Sequence, residues 1–322
     1  MARIVVVGGL GYVGVNIAPA LADLGELVVV YRGVVGGFRR VIASRLESLG
    51  ARLVRIDAPM TADELERLGG DVYIHLAGKI SGGYRVQWES HVGLLEAIVE
   101  AAGRIGSRVV YTSSVLAYGR LEDLPPGSLV YEEDEHLSGR RWWRSYHART
   151  KAEGERLLVS SSRRLGGRFS IVRPGLVVGS HAYHREWSML FRLSRLGLYP
   201  RLDYTVNYVS SKALREVYRR AVTGGLDGKW VHAVSYHAPY REAAMLVCTR
   251  LRGGLCRGLP VKPLFSLAGR LAPPSTALSA SWEGVSNGYI FKSRYGVPVD
   301  GSLEEAFSEL LEWLAGGGPS AS

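Results

Sequence analysis

The 322-residue chain has two cysteines, four methionines and six lysines. Cys248 and Cys256 are too few for a disulfide scaffold in a chain this long, and their spacing suits no metal site. They read as two ordinary thiols. Lysine is scarce while arginine numbers 34, so the net charge of +10 rests almost wholly on guanidinium. Long blocks of like charge are missing too, which argues against a nucleic-acid-binding tail. Scattered arginine suits surface ion pairs or attraction of a small anion. Disorder is excluded by the 47% hydrophobic content.

A lone membrane span is also excluded. Residues 4–22 carry no charge, but Gly8, Gly9, Gly11, Gly14, Asn16 and Pro19 interrupt the run. A strand, a glycine turn and a buried helix start explain it better. No other stretch approaches membrane length, so a soluble cytoplasmic protein is expected.

Strands and helices alternate through the first half. Strands are expected at Arg3–Val7, Glu26–Tyr31, Arg52–Ile56, Val72–Leu76, Arg108–Thr112 and Phe169–Arg173. Helices are expected at Val13–Leu24, Phe38–Leu49, Ala62–Leu68, Val92–Ile105 and Tyr146–Leu165. Continuous Val/Ile/Leu strands between helices indicate a doubly wound parallel sheet buried on both faces. The fold class is α/β, a Rossmann sheet over residues 1–179 with residues 205–235 returning to it. A smaller lobe for substrate is expected from residues 180–204 and 236–315. Ser302 and Glu305 announce the last helix as a capping box. Residues 316–322 are expected to be a disordered tail.

Gly8, Gly11 and Gly14 stand three apart between the first strand and the first helix. Glycine lets backbone approach a pyrophosphate closely, and the helix N-terminus offers free N–H groups and a positive dipole end. This context predicts dinucleotide binding, with Tyr12 and Val13 in the same turn. No acidic residue lies between Glu26 and Glu47. A carboxylate there would hold the adenosine ribose; Arg32 stands at that place instead and suits a 2′-phosphate, with Arg39 or Arg40 as a second cation. NADP is therefore favoured over NAD. Asp57 is a candidate for the adenine amino group, and Ala77 and Gly78 for close backbone approach.

These motifs together resemble the extended short-chain dehydrogenases/reductases, the NAD(P)-dependent epimerase/dehydratase group. The likeness covers nearly the whole chain. The glycine turn matches; Thr112-Ser113-Ser114-Val115-Leu116-Ala117-Tyr118-Gly119 resembles the group's Ser-Ser-x-Val-Tyr-Gly stretch. Arg173-Pro174-Gly175-Leu176-Val177-Val178-Gly179 resembles its Arg-Pro segment, which implies Pro174 and Val177 near the nicotinamide. Asn207-Tyr208-Val209 resembles its late strand, with Ser211 where Asp is usual, and Tyr295-Gly296-Val297-Pro298 its C-terminal end.

The resemblance implies a catalytic Tyr and Lys four apart on one helix, with a Ser nearby. Ser114 matches that Ser, with Ser113 beside it at the substrate. Lys151 matches the Lys and would also reach the cofactor ribose. The residue four before it is His147, however, and Tyr146 is five before it. Four residues bring side chains within about 40° around a helix; five leave about 140°. Three readings stay open: a helix start or π-bulge brings Tyr146 to the site; His147 takes the acid/base role; or the protein binds cofactor without this chemistry.

The resemblance further implies a nucleotide-sugar substrate, with Arg185 and Arg192 as candidates for its diphosphate. His181 and His184 lack a third ligand, so no metal is expected. Residues 259–282 are apolar and resemble instead the lobe of hydroxysteroid-dehydrogenase and flavonol-reductase relatives. The alternatives are an NADPH-dependent carbonyl reductase and a non-catalytic dinucleotide-binding protein. No nucleic-acid or membrane partner is expected; a homodimer is.

Overall fold

The computed structural model describes residues 1–57, 59–132 and 141–318, with the side chains of Arg185 and Glu186 left aside. Seven parallel strands form the central sheet: β1 (Ala2–Val7), β2 (Gly25–Tyr31), β3 (Arg52–Arg55), β4 (Val72–His75), β5 (Arg108–Thr112), β6 (Phe169–Pro174) and, after three further strands, Lys229–Ala233. Their order across the sheet is Lys229–Ala233, β6, β5, β4, β1, β2, β3. The switch between β1 and β4 opens a crevice at their carboxyl ends, where such sheets bind ligands.

Alternation within each strand divides the core. Ile4 and Val6 of β1 belong to one apolar cluster, with helices α1 (Tyr12–Ala22) and, later in the chain, Ser211–Val222. Val5 and Val7 belong to the other, with α3 (Ala62–Glu66) and the helix Leu94–Ile105, whereas α2 (Phe38–Ser48) packs into the first cluster. Burying strands on both faces is why their sequences are continuous Val and Ile runs.

Three expected elements differ. The helix expected at Val92–Ile105 begins earlier. It runs as α4 (Tyr84–Trp88), one π turn at Glu89–Gly93, and α5 (Leu94–Ile105). The polar residues Glu89, Ser90 and His91 hide that continuation from an apolar periodicity. The helix expected to reach Leu165 is α6 (Tyr146–Ser160); the Ser161 hydroxyl donates to the Leu157 carbonyl (2.9 Å) as the helix ends. Of residues 205–235, only Lys229–Ala233 joins the central sheet. Thr205–Ser210 instead pairs with Leu176–Val178 and Tyr236–Pro239 in a separate three-stranded sheet. A Cβ at Gly175 would sit 2.3 Å from the Asn207 carbonyl oxygen, so only glycine allows the two segments to approach there.

The lobe contains α7 (Arg185–Arg195), α9 (Tyr240–Arg252), α10 (Lys262–Leu271) and α11 (Ala277–Asn287), with α8 being Ser211–Val222 on the sheet. Helix α12 (Leu303–Ala315) starts where expected: the Ser302 hydroxyl accepts the Glu305 amide, while the Glu305 carboxylate takes the Gly301 amide. Of the expected tail, Gly316, Gly317 and Gly318 still bond back to the last turn of α12, and residues 319–322 lie outside the described residues.

The cysteines are not free thiols. Cys248 and Cys256 form a disulfide. Gly253, at φ +69°, ends α9 and begins the reversal that brings them together. Spacing in sequence carries no sign of that turn. Among the described residues, no helix is long and apolar enough to cross a membrane.

Candidate functional site

One cleft of about 1580 Å³ runs from the glycine turn, past the N-terminal half of α6, into the lobe. Its inner end is built by the loop after β1. Gly8 sits at φ +87°, and a Cβ there would lie 2.6 Å from the Ala77 backbone. At Gly14 a Cβ would lie 2.0 Å from the Gly9 oxygen. Gly11 begins α1 without a side-chain cap, so the first amides of that helix are free to meet an anion. Gly11, Tyr12, Val13, Ala77, Gly78, Pro174 and Val177 all line the cleft. The Tyr12 hydroxyl accepts the Gly179 amide (2.8 Å), which ties the turn to the segment leaving the sheet for the lobe. The spacing and close approaches of this cradle fit a dinucleotide.

At the end of β2, both Arg32 and Arg39 line the cleft. Arg39 donates to the carbonyls of Val34 and Arg32 (both 3.2 Å), which holds it there. The only acidic side chain among the described lining residues is Glu89, in the π turn. Asp57 does not line the cleft. It accepts the Gly33 amide (3.0 Å) and pairs with Arg55 (2.8 Å), whose hydrogen bond holds the carboxyl below its usual range.

Lys151 is buried on α6. Its Nζ donates to the Thr112 carbonyl (2.7 Å) and lies over the Tyr111 ring. Burial pulls its pKa down to about 7, against the opposing pull of Glu155. Glu155 is fixed by a buried ion pair with Arg173, through Nε at 2.8 Å and through Nη2. It also accepts the Ser113 hydroxyl. Ser113 therefore serves this network although it borders the cleft. Ser114 lines the cleft and caps the short 3-10 turn Val115–Tyr118, accepting the Leu116 amide at 3.2 Å; its own O–H remains a donor.

The cleft takes His147, not Tyr146, from the start of α6. Tyr146 turns to the Tyr84 ring, 5.6 Å away in an edge-to-face contact. The His147 Nδ1 lies 3.3 Å from the Lys79 carbonyl. A carbonyl only accepts, so that contact assigns the proton to Nδ1 and leaves Nε2 bare. Burial, then Lys151, lowers its pKa to about 4. The imidazole is thus neutral at pH 7 and able to take a proton. Helix α6 has no π turn to bring Tyr146 inward; the π turn at Glu89–Gly93, in another helix, carries His91 to the cleft. His91 Nδ1 bonds the Thr150 hydroxyl at 2.7 Å, and its ring meets that of His147 at 5.2 Å. A side chain at Gly78 would strike His91, with a Cβ 2.6 Å from Nε2. His91 and Lys79 were missed from sequence. The polar Glu89-Ser90-His91 break in an otherwise apolar helix was the available signal.

Helix α11 anchors this machinery. Glu283 is buried and accepts the amides of Arg144 (2.8 Å) and Ser145 (3.0 Å) and the Ser145 hydroxyl, just where α6 begins.

The lobe half is apolar. Helix α7 presents Trp187, Met189 and Leu193 to the cleft, and Arg192 lies exposed outside the lining. The Arg185 side chain lies outside what is described. Among the described residues no cluster of His, Cys, Asp or Glu could hold a metal.

The sheet order and the glycine turn define a protein of the Rossmann type. Residues 4–195 match the profile of the NAD dependent epimerase/dehydratase family, and the chain belongs to that family. A UDP-glucose 4-epimerase of Streptomyces lividans is 32% identical over 133 residues, which span 38% of this chain and 39% of the relative. Similar folds are found in UDP-glucose 4-epimerase from Thermotoga maritima, solved with UDP-glucose (TM-score 0.73, 16% identity, 98% of this chain and 99% of that one). Another is dTDP-glucose 4,6-dehydratase from Streptomyces venezuelae, solved with NAD (TM-score 0.71, 19% identity, 98% and 97%).

Proposed function

We propose that this protein is an oxidoreductase that binds NADP and transfers hydride at a secondary carbinol, with His147 as the acid/base. The observation that carries the reading is the bare Nε2 of His147 in the cleft, four residues before Lys151 on one helix. A bound nicotinamide dinucleotide supplies the hydride acceptor or donor. Gly8, Gly11 and Gly14 with the start of α1 would hold its pyrophosphate, and Lys151 its nicotinamide ribose. Arg32 and Arg39 would meet a 2′-phosphate, which supports NADP over NAD.

The residues of the chain then act in order. Ser114 donates to the substrate oxygen. His147 Nε2 accepts the hydroxyl proton as the carbon is oxidised, and Nδ1–H stays on the Lys79 carbonyl to hold the ring in register. The Lys151 cation stabilises the developing alkoxide. Reduction runs the same steps backwards, which a transient oxidation of the epimerase or dehydratase kind requires. The protein is tested with His147→Gln and Tyr146→Phe: the first abolishes turnover and the second leaves it.

Family membership and the relatives support a nucleotide sugar as substrate. A second reading, net reduction of an apolar carbonyl, is favoured by one observation: no Arg or Lys of the lobe is among the described residues lining the cleft. Conversion of a UDP-sugar without net absorbance change supports the first; NADPH consumption with an apolar ketone supports the second. We also propose a homodimer through the face bearing α6.

A further inference from the structure

The outer half of the cleft is bordered by apolar side chains that water also reaches. Ile80, Met189 and Leu264 line it while 46%, 60% and 69% exposed. A closed pocket for a sugar has no need of such a rim, and a diphosphate would find no cation among the lobe's described lining residues. The rim also continues outward. On α10, at 100° per residue, Leu267, Leu271, Leu264, Ala268 and Phe265 fall in one arc of about 160°. Leu264, Phe265 and Ala268 line the cleft. Leu267 and Leu271 are 58% and 74% exposed. The opposite side of the helix is occupied: Gly269 packs on the Trp282 ring and the Ser266 hydroxyl bonds Tyr204 (2.6 Å). An apolar track of about 10 Å thus leads from the cleft along the surface of α10.

We infer that this track takes the chain of an amphiphilic substrate: a secondary alcohol or ketone whose reacting carbon meets His147 and whose unbranched apolar chain runs out over Leu264, Leu267 and Leu271. This rests on the second reading above and names its substrate class. The polar head sits where Ser114, His147 and Lys151 are, and the chain covers side chains otherwise left in water.

The test titrates the NADP-loaded protein with alkan-2-ols of about six to twelve carbons, read by tryptophan fluorescence, since Trp187 lines the cleft. Each added methylene lowers Kd about fourfold until the track is filled. Leu267→Asp and Leu271→Asp each raise Kd for the longest alcohol at least about tenfold. Leu196→Asp, at an exposed position outside the cleft lining, leaves the series unchanged. A Kd independent of chain length, or Asp variants matching the parent, overturns the inference. So does flotation of the protein on neutral phosphatidylcholine vesicles that Leu267→Asp abolishes, because the track would then be a membrane contact. The two levels fail separately. Lost chain-length dependence with turnover still sensitive to His147→Gln removes only the amphiphile. Intact chain-length dependence with no turnover on sugars or ketones removes only the catalytic reading.

Discussion

Replacing His147 by glutamine is the sharpest perturbation the site offers. The Gln amide can still donate to the Lys79 carbonyl, so the shape of the wall is largely kept. It cannot take a proton. In the parent, the imidazole with a pKa of about 4 is neutral by about a thousand to one at pH 7. Losing a positioned general acid/base costs about 10²- to 10⁴-fold in kcat. We expect that loss in His147→Gln, on whichever UDP-sugar or alkan-2-ol the protein turns over, and less than about threefold in Tyr146→Phe. NMR titration of the protein without ligand checks the cause independently of any substrate. The His147 ring should titrate near pH 4 and the Lys151 ammonium near pH 7. The sign follows: the site is intact between these values, loses the neutral base below the first and loses the cation above the second. A His147 midpoint at its ordinary value refutes the geometry. Near-full turnover in His147→Gln, with Tyr146→Phe inactive, refutes the assignment.

Three other outcomes are expected. Arg32→Glu should weaken NADP by at least about tenfold while leaving NAD little changed, read by isothermal titration calorimetry; equal loss for both would remove the 2′-phosphate role. Cys256→Ser opens the link between α9 and the strand Arg257–Leu259, and loop-closure entropy puts the cost at about 2–3 kcal/mol in urea unfolding; an unchanged midpoint would show that the lobe does not depend on it. His75 is fully buried, and burial above all lowers its pKa to about 3. The unfolded chain then binds the extra proton below its ordinary pKa. Stability present above about pH 6.5 falls as pH drops toward 3, by about 2–3 kcal/mol at pH 4.5, and His75→Gln should flatten that slope.

Much of this was legible without coordinates. Strand β5 starts and ends where its Val/Tyr run does, and α5 ends at Ile105 because Gly106 takes φ +74°. Gly8, Gly11 and Gly14 lie where their spacing placed them, since local backbone chemistry decides a turn. Other features depend on neighbours far along the chain. Asp57 looked free but faces Arg55, and Ser113 looked available but bonds Glu155. Arg192 is in a suitable segment yet on the wrong side of α7, because Trp187 and Leu193 turn the apolar side inward.

By itself, then, the sequence determined the alternating architecture, the glycine cradle and the membership of α6 in the site, because periodicity, backbone freedom and helical spacing are local properties. It left Tyr146 and His147 as rivals. Tertiary structure decided which one faces the cleft: the Tyr84 ring takes the tyrosine, and the Lys79 carbonyl takes the imidazole. It also produced the disulfide and the apolar lobe, since both arise from packing between segments whose approach no local pattern encodes.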